Sequence, residues 1–306
     1  MKKLLAFALA SLTLLPAGAL AQDAPKQETA RKVLLWKVTG KDLKAPTYLF
    51  GTIHIPDKRV TRLPKCVEEA RQACDALYCE LAMEPSLQLA ATKHMMLSDG
   101  KTLNDVLGKE LVDRAAKLLA KRGLPIAPFL RMKPWAFISQ LQMLDYLFEL
   151  QSGQLPLDAM LYADAKKAGK TVGGLEKLED QMSVFEGLSA ETQKKMVESG
   201  LDGMEKAAAE GKKATDKLLG LYLKGDLDAM LELTKEESGE DEESKAFMKK
   251  LLFDRNVNMV KEIIRLWGKA PDKSLFVAVG SLHYAGKQGI LALLKAEGYT
   301  IEAIEK

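Results

Sequence analysis

The stretch 48-YLFGTIHIPD-57 decides how this chain is read. An apolar, β-prone run stops at Gly51 and is followed three residues later by His54. The pattern returns near the other end of the chain as 277-VAVGSLHYAG-286, with Gly280 and His283 in the matching places. Each copy is a strand, then glycine, a small hydroxyl residue, an aliphatic residue and histidine. The chain has only three histidines, His54, His94 and His283, and the repeated motif holds two of them. A glycine at a strand end allows a tight turn or a positive φ, and the residue three further on then stands over the carboxyl end of the sheet. In open α/β sheets that rim is where ligands bind.

Outward from these motifs the sequence predicts two βαβ units. Residues 33–40 and 46–53 read as a hairpin. Residues 63–76 have helical apolar spacing with Pro64 in the first turn, and 76–82 form another short strand. Residues 274–304 read strand, loop, helix, Gly298, strand. Between the units lies a helical middle region, about 102–267. It includes one helix over 102–123 capped at Thr102 or Asn104, an apolar helix over 133–150, and a helix from about 156 to Gly169. A short strand then leads to Glu176, two tandem helices follow, and a long amphipathic helix covers 245–267. The acidic run 235–243 lacks the spacing of a calcium loop and reads as a solvated loop. The fold class is therefore α/β: a central mixed sheet built from N- and C-terminal βαβ units, with a large helical insertion.

Composition narrows the function. The 306 residues are 47% hydrophobic, 6% aromatic and carry a formal net charge of +3. Lys and Arg are dispersed among Asp and Glu, so the electrostatic footprint of a nucleic-acid binder is absent. Residues 1–21 have a Lys2-Lys3 start, an apolar run from Leu4 to Leu15, and small residues at Ala19 and Ala21. This is the pattern of a secretory signal peptide, and the expected home of the mature chain is the periplasm. Its removal takes away two lysines and no acid. Residues 22–32 read as a mobile leader and 33–306 as a single domain, with no membrane-spanning segment in the mature chain. Export permits disulfides. Cys66 and Cys74 lie about 12 Å apart along a helix and cannot bridge, whereas Cys74–Cys79 or Cys66–Cys79 remain open. No CxxC spacing suggests a zinc site among them.

Two imidazoles at matched strand ends are costly to bury without partners and are good metal ligands. A carboxylate is expected as third ligand. Glu80 is the first candidate, because it ends the strand 76-ALYCEL-81 expected to pair beside the strand leading to His54. Glu176 is second and Asp57 third. Arg255 and Asn256 are read as orienting groups or a clamp for a substrate carboxylate. Asp158 stands where an N-cap would, His94 is read as incidental, and Met95 and Met96 as core or loop. Ser281 and Thr52 are poor nucleophile candidates, since no GxSxG elbow is present.

The ordered set of GTIH, Glu80, 254-DRN-256 and GSLH resembles the TraB/GumN family, which includes the Tiki proteins. The likeness runs from about Trp36 to Ile304. It implies an α/β fold with a helical insertion and, from the Tiki relatives, metal-dependent proteolysis with manganese or cobalt favoured. The matching site residues are His54, Glu80 and His283. The donor types alone suit zinc as well as manganese. The expected function is an exported metal-dependent hydrolase acting on a peptide or small exported substrate. Glu80 serves as ligand or base, Glu176 in proton transfer or support, and Gly51, Gly280, Asp158, Arg255 and Asn256 line or brace the site. The alternative is a periplasmic binding protein that sequesters a peptide signal or a cofactor without turnover.

Overall fold

The computed structural model describes residues 32–41 and 43–305. The signal peptide expected over 1–21 and nearly all of the leader expected over 22–32 lie outside the described residues. Among those described, no helix is long and apolar enough to cross a membrane.

Six strands form one mixed sheet: β1 (Leu35–Thr39), β2 (Thr47–Thr52), β3 (Ala76–Cys79), β4 (Thr171–Gly174), β5 (Leu275–Gly280) and β6 (Thr300–Ala303). Their order is β4-β3-β5-β2-β1-β6. β1 and β2 form the expected antiparallel hairpin, and β6 pairs antiparallel with β1. The four strands β4, β3, β5 and β2 run parallel as neighbours. β5 inserts between β3 and β2, so the expected pairing of the Glu80 strand beside the His54 strand does not occur. Both βαβ connections join strands that are not neighbours, which local sequence reading has no means to see.

Side chains of β5 alternate strictly between the two faces, as the pleat requires. Leu275, Val277 and Val279 join Met259, Ile263 and Trp267 of helix Arg255–Lys269. Phe276 and Ala278 turn the other way, toward Leu157, Leu161 and Ala165 of helix Leu157–Lys167. A third core lies away from the sheet, within the helical insertion, and is centred on Trp135, Phe137 and Phe185.

Three helices of the sequence reading are broken, and the one over 133–150 is interrupted by a 3-10 turn, Leu144–Tyr146, between Pro134–Met143 and Leu147–Gln151. The one over 102–123 divides at Gly108, whose φ of 84° ends Leu103–Leu107 and starts Lys109–Ala120. Thr102 caps the first through a reciprocal box with Asp105. The helix over 245–267 carries a π-helical turn, Lys249–Asp254, just before Arg255. Such turns concentrate at functional sites. In the acidic run, Asp241 caps helix Glu242–Met248. All three cysteines are free.

Candidate functional site

The parallel strands place chemistry on one rim. In sheet order their carboxyl ends lead to Glu176 after β4, Glu80 after β3, His283 after β5 and His54 after β2. Polar groups gather here because each strand's last residue leaves the ladder, and the next side chains must find partners outside it.

Glu80 is the hub. It is 7% exposed. Its Oε1 accepts the Gly280 N–H at 2.8 Å, and its Oε2 accepts from Arg255 at 2.6 Å and from Gln181 at 3.3 Å. His54 Nε2 and His283 Nε2 both face Oε1, at 3.6 and 3.7 Å. Burial opposes the charge on Glu80, but the positive charge of Arg255 and the hydrogen-bonding and charge of His54 outweigh it and hold the carboxyl well below its ordinary range, without help from the neutral His283. Of these neighbours Arg255 is the dependable cation, because a guanidinium does not titrate in a protein.

The two imidazoles are oriented differently. His283 Nδ1 lies 2.6 Å from Asn256 Oδ1, and the Asn256 amide nitrogen donates to Gln288 O at 2.8 Å. That second bond fixes the amide, so Oδ1 must accept and His283 Nδ1 must carry the proton. Its Nε2 lone pair is thereby turned toward Glu80. Burial pushes the His283 pKa down to about 3, and the ring is neutral. His54 Nδ1 lies 3.1 Å from Asp158 Oδ2. Asp158 is 2% exposed, and neither of its oxygens nor His54 Nδ1 makes a well-directed hydrogen bond among the described residues. Burial works against a charged His54, but the negative charges of Asp158 and Glu80 overturn this and raise its pKa well above the usual value. The space between those two carboxylates thus attracts a cation.

Glu176 does not reach the histidines. Its carboxylate is held by Arg255 through Nε at 3.0 Å to each oxygen and through a terminal nitrogen at 2.6 Å. Burial raises its proton affinity despite that partner. The remaining Arg255 nitrogen donates to Leu251 O at 3.1 Å. All three nitrogens of Arg255 are committed to protein acceptors, so the reading of Arg255 as a substrate clamp is replaced by that of a brace between two carboxylates. Asn256 braces His283. Asp57, the third carboxylate candidate, stands outside the cluster: it caps helix Lys58–Thr61 and pairs with Arg59. Asp158 is no cap either, since the N-cap position of its helix is Pro156.

Of the two reasons expected for the glycines, the positive φ is absent, while Gly280 does stand where β5 turns into the 3-10 turn Ser281–Tyr284. Gly280 has φ −53°, and Gly51 is not among the positive-φ residues. What matters is space. A Cβ on Gly280 would lie 3.0 Å from Glu80 Oε1 and 3.5 Å from His54 Nε2, and one on Gly51 would lie 3.1 Å from Ser281 Oγ. Ser281 donates to Thr52 O at 2.7 Å and ties the two motifs together. His94 sits elsewhere, 3.2 Å from Glu186. Met95 is buried in the insertion core, and Met96 forms an isolated bridge with Met132.

Gln181 received no role from sequence. It is 1% exposed in a helix whose stripe Leu178, Gln181, Met182, Phe185 is otherwise apolar. A lone amide in such a stripe was the available signal.

The donor set fits a divalent ion in kind. Two histidine nitrogens face the same carboxylate oxygen, and each ring's second nitrogen lies against a side-chain oxygen, as in oriented metal ligands. Ligands about 2.1 Å from one tetrahedral ion stand roughly 3.4 Å apart, close to the two N–O separations here. As they stand, no three His, Cys, Asp or Glu side chains among the described residues close into a metal-holding group.

The fold and site define an α/β protein with a histidine–carboxylate cluster at the carboxyl ends of its parallel strands. The chain belongs to the TraB/PrgY/gumN family, whose model matches residues 34–303. It is similar to metalloprotease TIKI2 of Danio rerio, 24% identical over 92% of this chain and 62% of the relative. It is similar to metalloprotease TIKI1 of Homo sapiens, 27% identical over 97% of this chain and 68% of the relative. A metalloprotease TIKI homolog of Nematostella vectensis is 26% identical over 85% of this chain and 65% of its own length. The chain thus spans about two thirds of these relatives. No solved structure matches it.

Proposed function

We propose that this protein is an exported, metal-dependent hydrolase of peptides. The observation that carries the reading is the convergence of His54 Nε2 and His283 Nε2 on Glu80 Oε1. The similarity to proteins named metalloproteases supports the class. The pattern of residues 1–21 supports export to the periplasm.

His54, His283 and Glu80 would hold the ion, with manganese, cobalt and zinc all compatible with the donor types. When bound, it would supply Lewis acidity and ease ionisation of a water at neutral pH. The chain's own groups prepare that site. Asn256 keeps the His283 proton on Nδ1 and leaves Nε2 free. Asp158 faces His54 Nδ1 and favours the same polarity there. Arg255 and the Gly280 N–H keep Glu80 ionised and fixed, which suits a ligand better than a proton acceptor. Glu176 balances Arg255, so the brace adds no surplus positive charge beside the ion.

The test is a purification of the mature chain, a measurement of bound metal, and turnover of a peptide library with and without chelator. Chelator-sensitive cleavage that disappears in His54→Ala and His283→Ala is the expected result. A well-folded, metal-free protein whose properties survive both substitutions would leave the non-catalytic binding protein as the reading.

A further inference from the structure

A cavity opens directly beside the histidines, and its far wall is unlike its floor. The floor is Thr52, His54, Glu80, Gly280 and His283. The wall is Leu218, Met230, Thr234, Leu251, Leu252 and Leu282. Five of these six are apolar, and the Thr234 hydroxyl is already spent on Met230 O at 2.8 Å. Leu282 excepted, the wall comes from the helical insertion: helices Asp216–Lys224 and Leu227–Ser238 and the π-helical turn before Arg255.

We infer that this cavity is a specificity pocket for an unbranched or branched aliphatic side chain, leucine, isoleucine or methionine, next to the bond that is cleaved. The inference rests on the peptide-hydrolase reading above and names its substrate class. Size argues for it. The space open to the centre of a water-sized group is about 70 Å³. On that measure a water needs roughly 10–15 Å³, so about five to seven water-sized groups fit. An aliphatic side chain of four heavy atoms fits within that space, and phenylalanine, with seven, reaches its upper bound. Tryptophan exceeds it, and alanine leaves it mostly empty.

Charge argues the same way. The charged groups that line the cavity are those of the site itself, and Arg255 among them is held by Glu80 and Glu176. A substrate lysine or aspartate placed against the leucines would lose its water and gain no partner. Thr52 adds a complementary polar point on the floor: it is 1% exposed and its hydroxyl has no hydrogen-bond partner among the described residues. An apolar pocket with a few placed polar groups is the ordinary form of a small-ligand site.

The experiment uses the mature chain supplied with Mn²⁺ and a peptide library randomised at every position. Cleavage sites are read by mass spectrometry. Binding of capped short peptides carrying Leu, Met, Ala, Trp, Asp or Lys at the tested position is measured separately by calorimetry. We expect Leu, Ile or Met beside the cleaved bond to be preferred at least about tenfold over Ala, Trp, Asp and Lys, the scale of a hydrophobic side-chain contact. Met230→Phe shrinks the pocket and should move the preference toward Ala. Leu218→Ala enlarges it and should move the preference toward Phe. Circular dichroism shows which variants fold, and the wild-type series decides the matter even if neither does. Cleavage without side-chain preference, or a preference unmoved in folded variants, overturns the pocket and leaves the hydrolase. Selective binding of leucyl peptides with no cleavage keeps the pocket and removes the hydrolase. Neither binding nor cleavage removes both.

Discussion

The sheet rim and the helical insertion meet at one cavity and are built on opposite terms. The rim holds Glu80, Glu176, Arg255, His54, His283 and Asp158 out of water, each against a named polar neighbour. The insertion offers leucines and a methionine that pack within the apolar cores. The difference teaches where function is concentrated in this fold. Polar groups gather where strand ends force side chains out of the ladder, and the helices that face them supply an apolar lining.

The largest expected effect breaks the rim. Arg255→Met leaves Glu80 and Glu176 buried beside each other without their shared cation. Removing one partner of a buried ion pair costs about 3–5 kcal/mol. Denaturant unfolding should show a loss of that size, and a loss below about 1 kcal/mol, the scale of an exposed pair, would mean that the rim is wetter than described. Phe185→Ala attacks the insertion instead. Phe185 is fully buried against Trp135 and Phe247, and truncation of such a ring costs about 3–5 kcal/mol. Below the new melting point the variant should still bind metal as the parent does. Loss of metal binding in the folded variant would show that the two regions are not separable.

Gly280→Ala should separate stability from chemistry. Its φ of −53° suits any residue, but the new methyl would crowd Glu80 Oε1 and His54 Nε2. We expect metal affinity to fall by about 10–100-fold, the range seen when oriented ligands lose their support, with a melting temperature near that of the parent. Unchanged affinity would argue that Glu80 and His54 do not share a ligand.

The smallest effect lies outside both regions. Burial opposes ionisation of Asp57, but the side-chain and backbone hydrogen bonds from Arg59 outweigh it and lower its pKa. Its folded pKa therefore lies below its unfolded one. The stabilisation is present at neutral pH, and is lost as pH falls through the folded value. Asp57→Asn keeps an N-cap oxygen and removes the ion pair with exposed Arg59, and should cost up to about 1 kcal/mol, the usual worth of an exposed pair. The difference between variant and parent should shrink in acid.

Much of the rim was legible in the amino-acid sequence. His54 and His283 stood out because one rare residue type recurred in the same strand-end pattern, and Glu80 because a carboxylate closed an apolar run. The hairpin was legible from its own two strands. The position of β5 between β3 and β2 was not, since no local pattern records which distant strand inserts. Of the two roles read for Gly51 and Gly280, a tight turn or a positive φ, the positive φ is absent; a close approach leaves the same sequence mark. Gln181 and the cavity leucines escaped for a related reason: a leucine on a cavity wall and one in a core are identical in an apolar stripe. The π-helical turn before Arg255 is hidden inside uninterrupted helical periodicity.

The central claim is that His54, His283 and Glu80 hold a divalent ion together. Its most direct test is the metal content of the purified mature chain beside His54→Ala, His283→Ala and Glu80→Gln, measured by mass spectrometry after exhaustive dialysis. The account predicts a single divalent ion per chain in the parent and loss of it in both histidine variants, with Glu80→Gln weakened. A metal-free parent after growth and dialysis in excess Mn²⁺, Co²⁺ and Zn²⁺, or full occupancy in folded His54→Ala and His283→Ala, would contradict it.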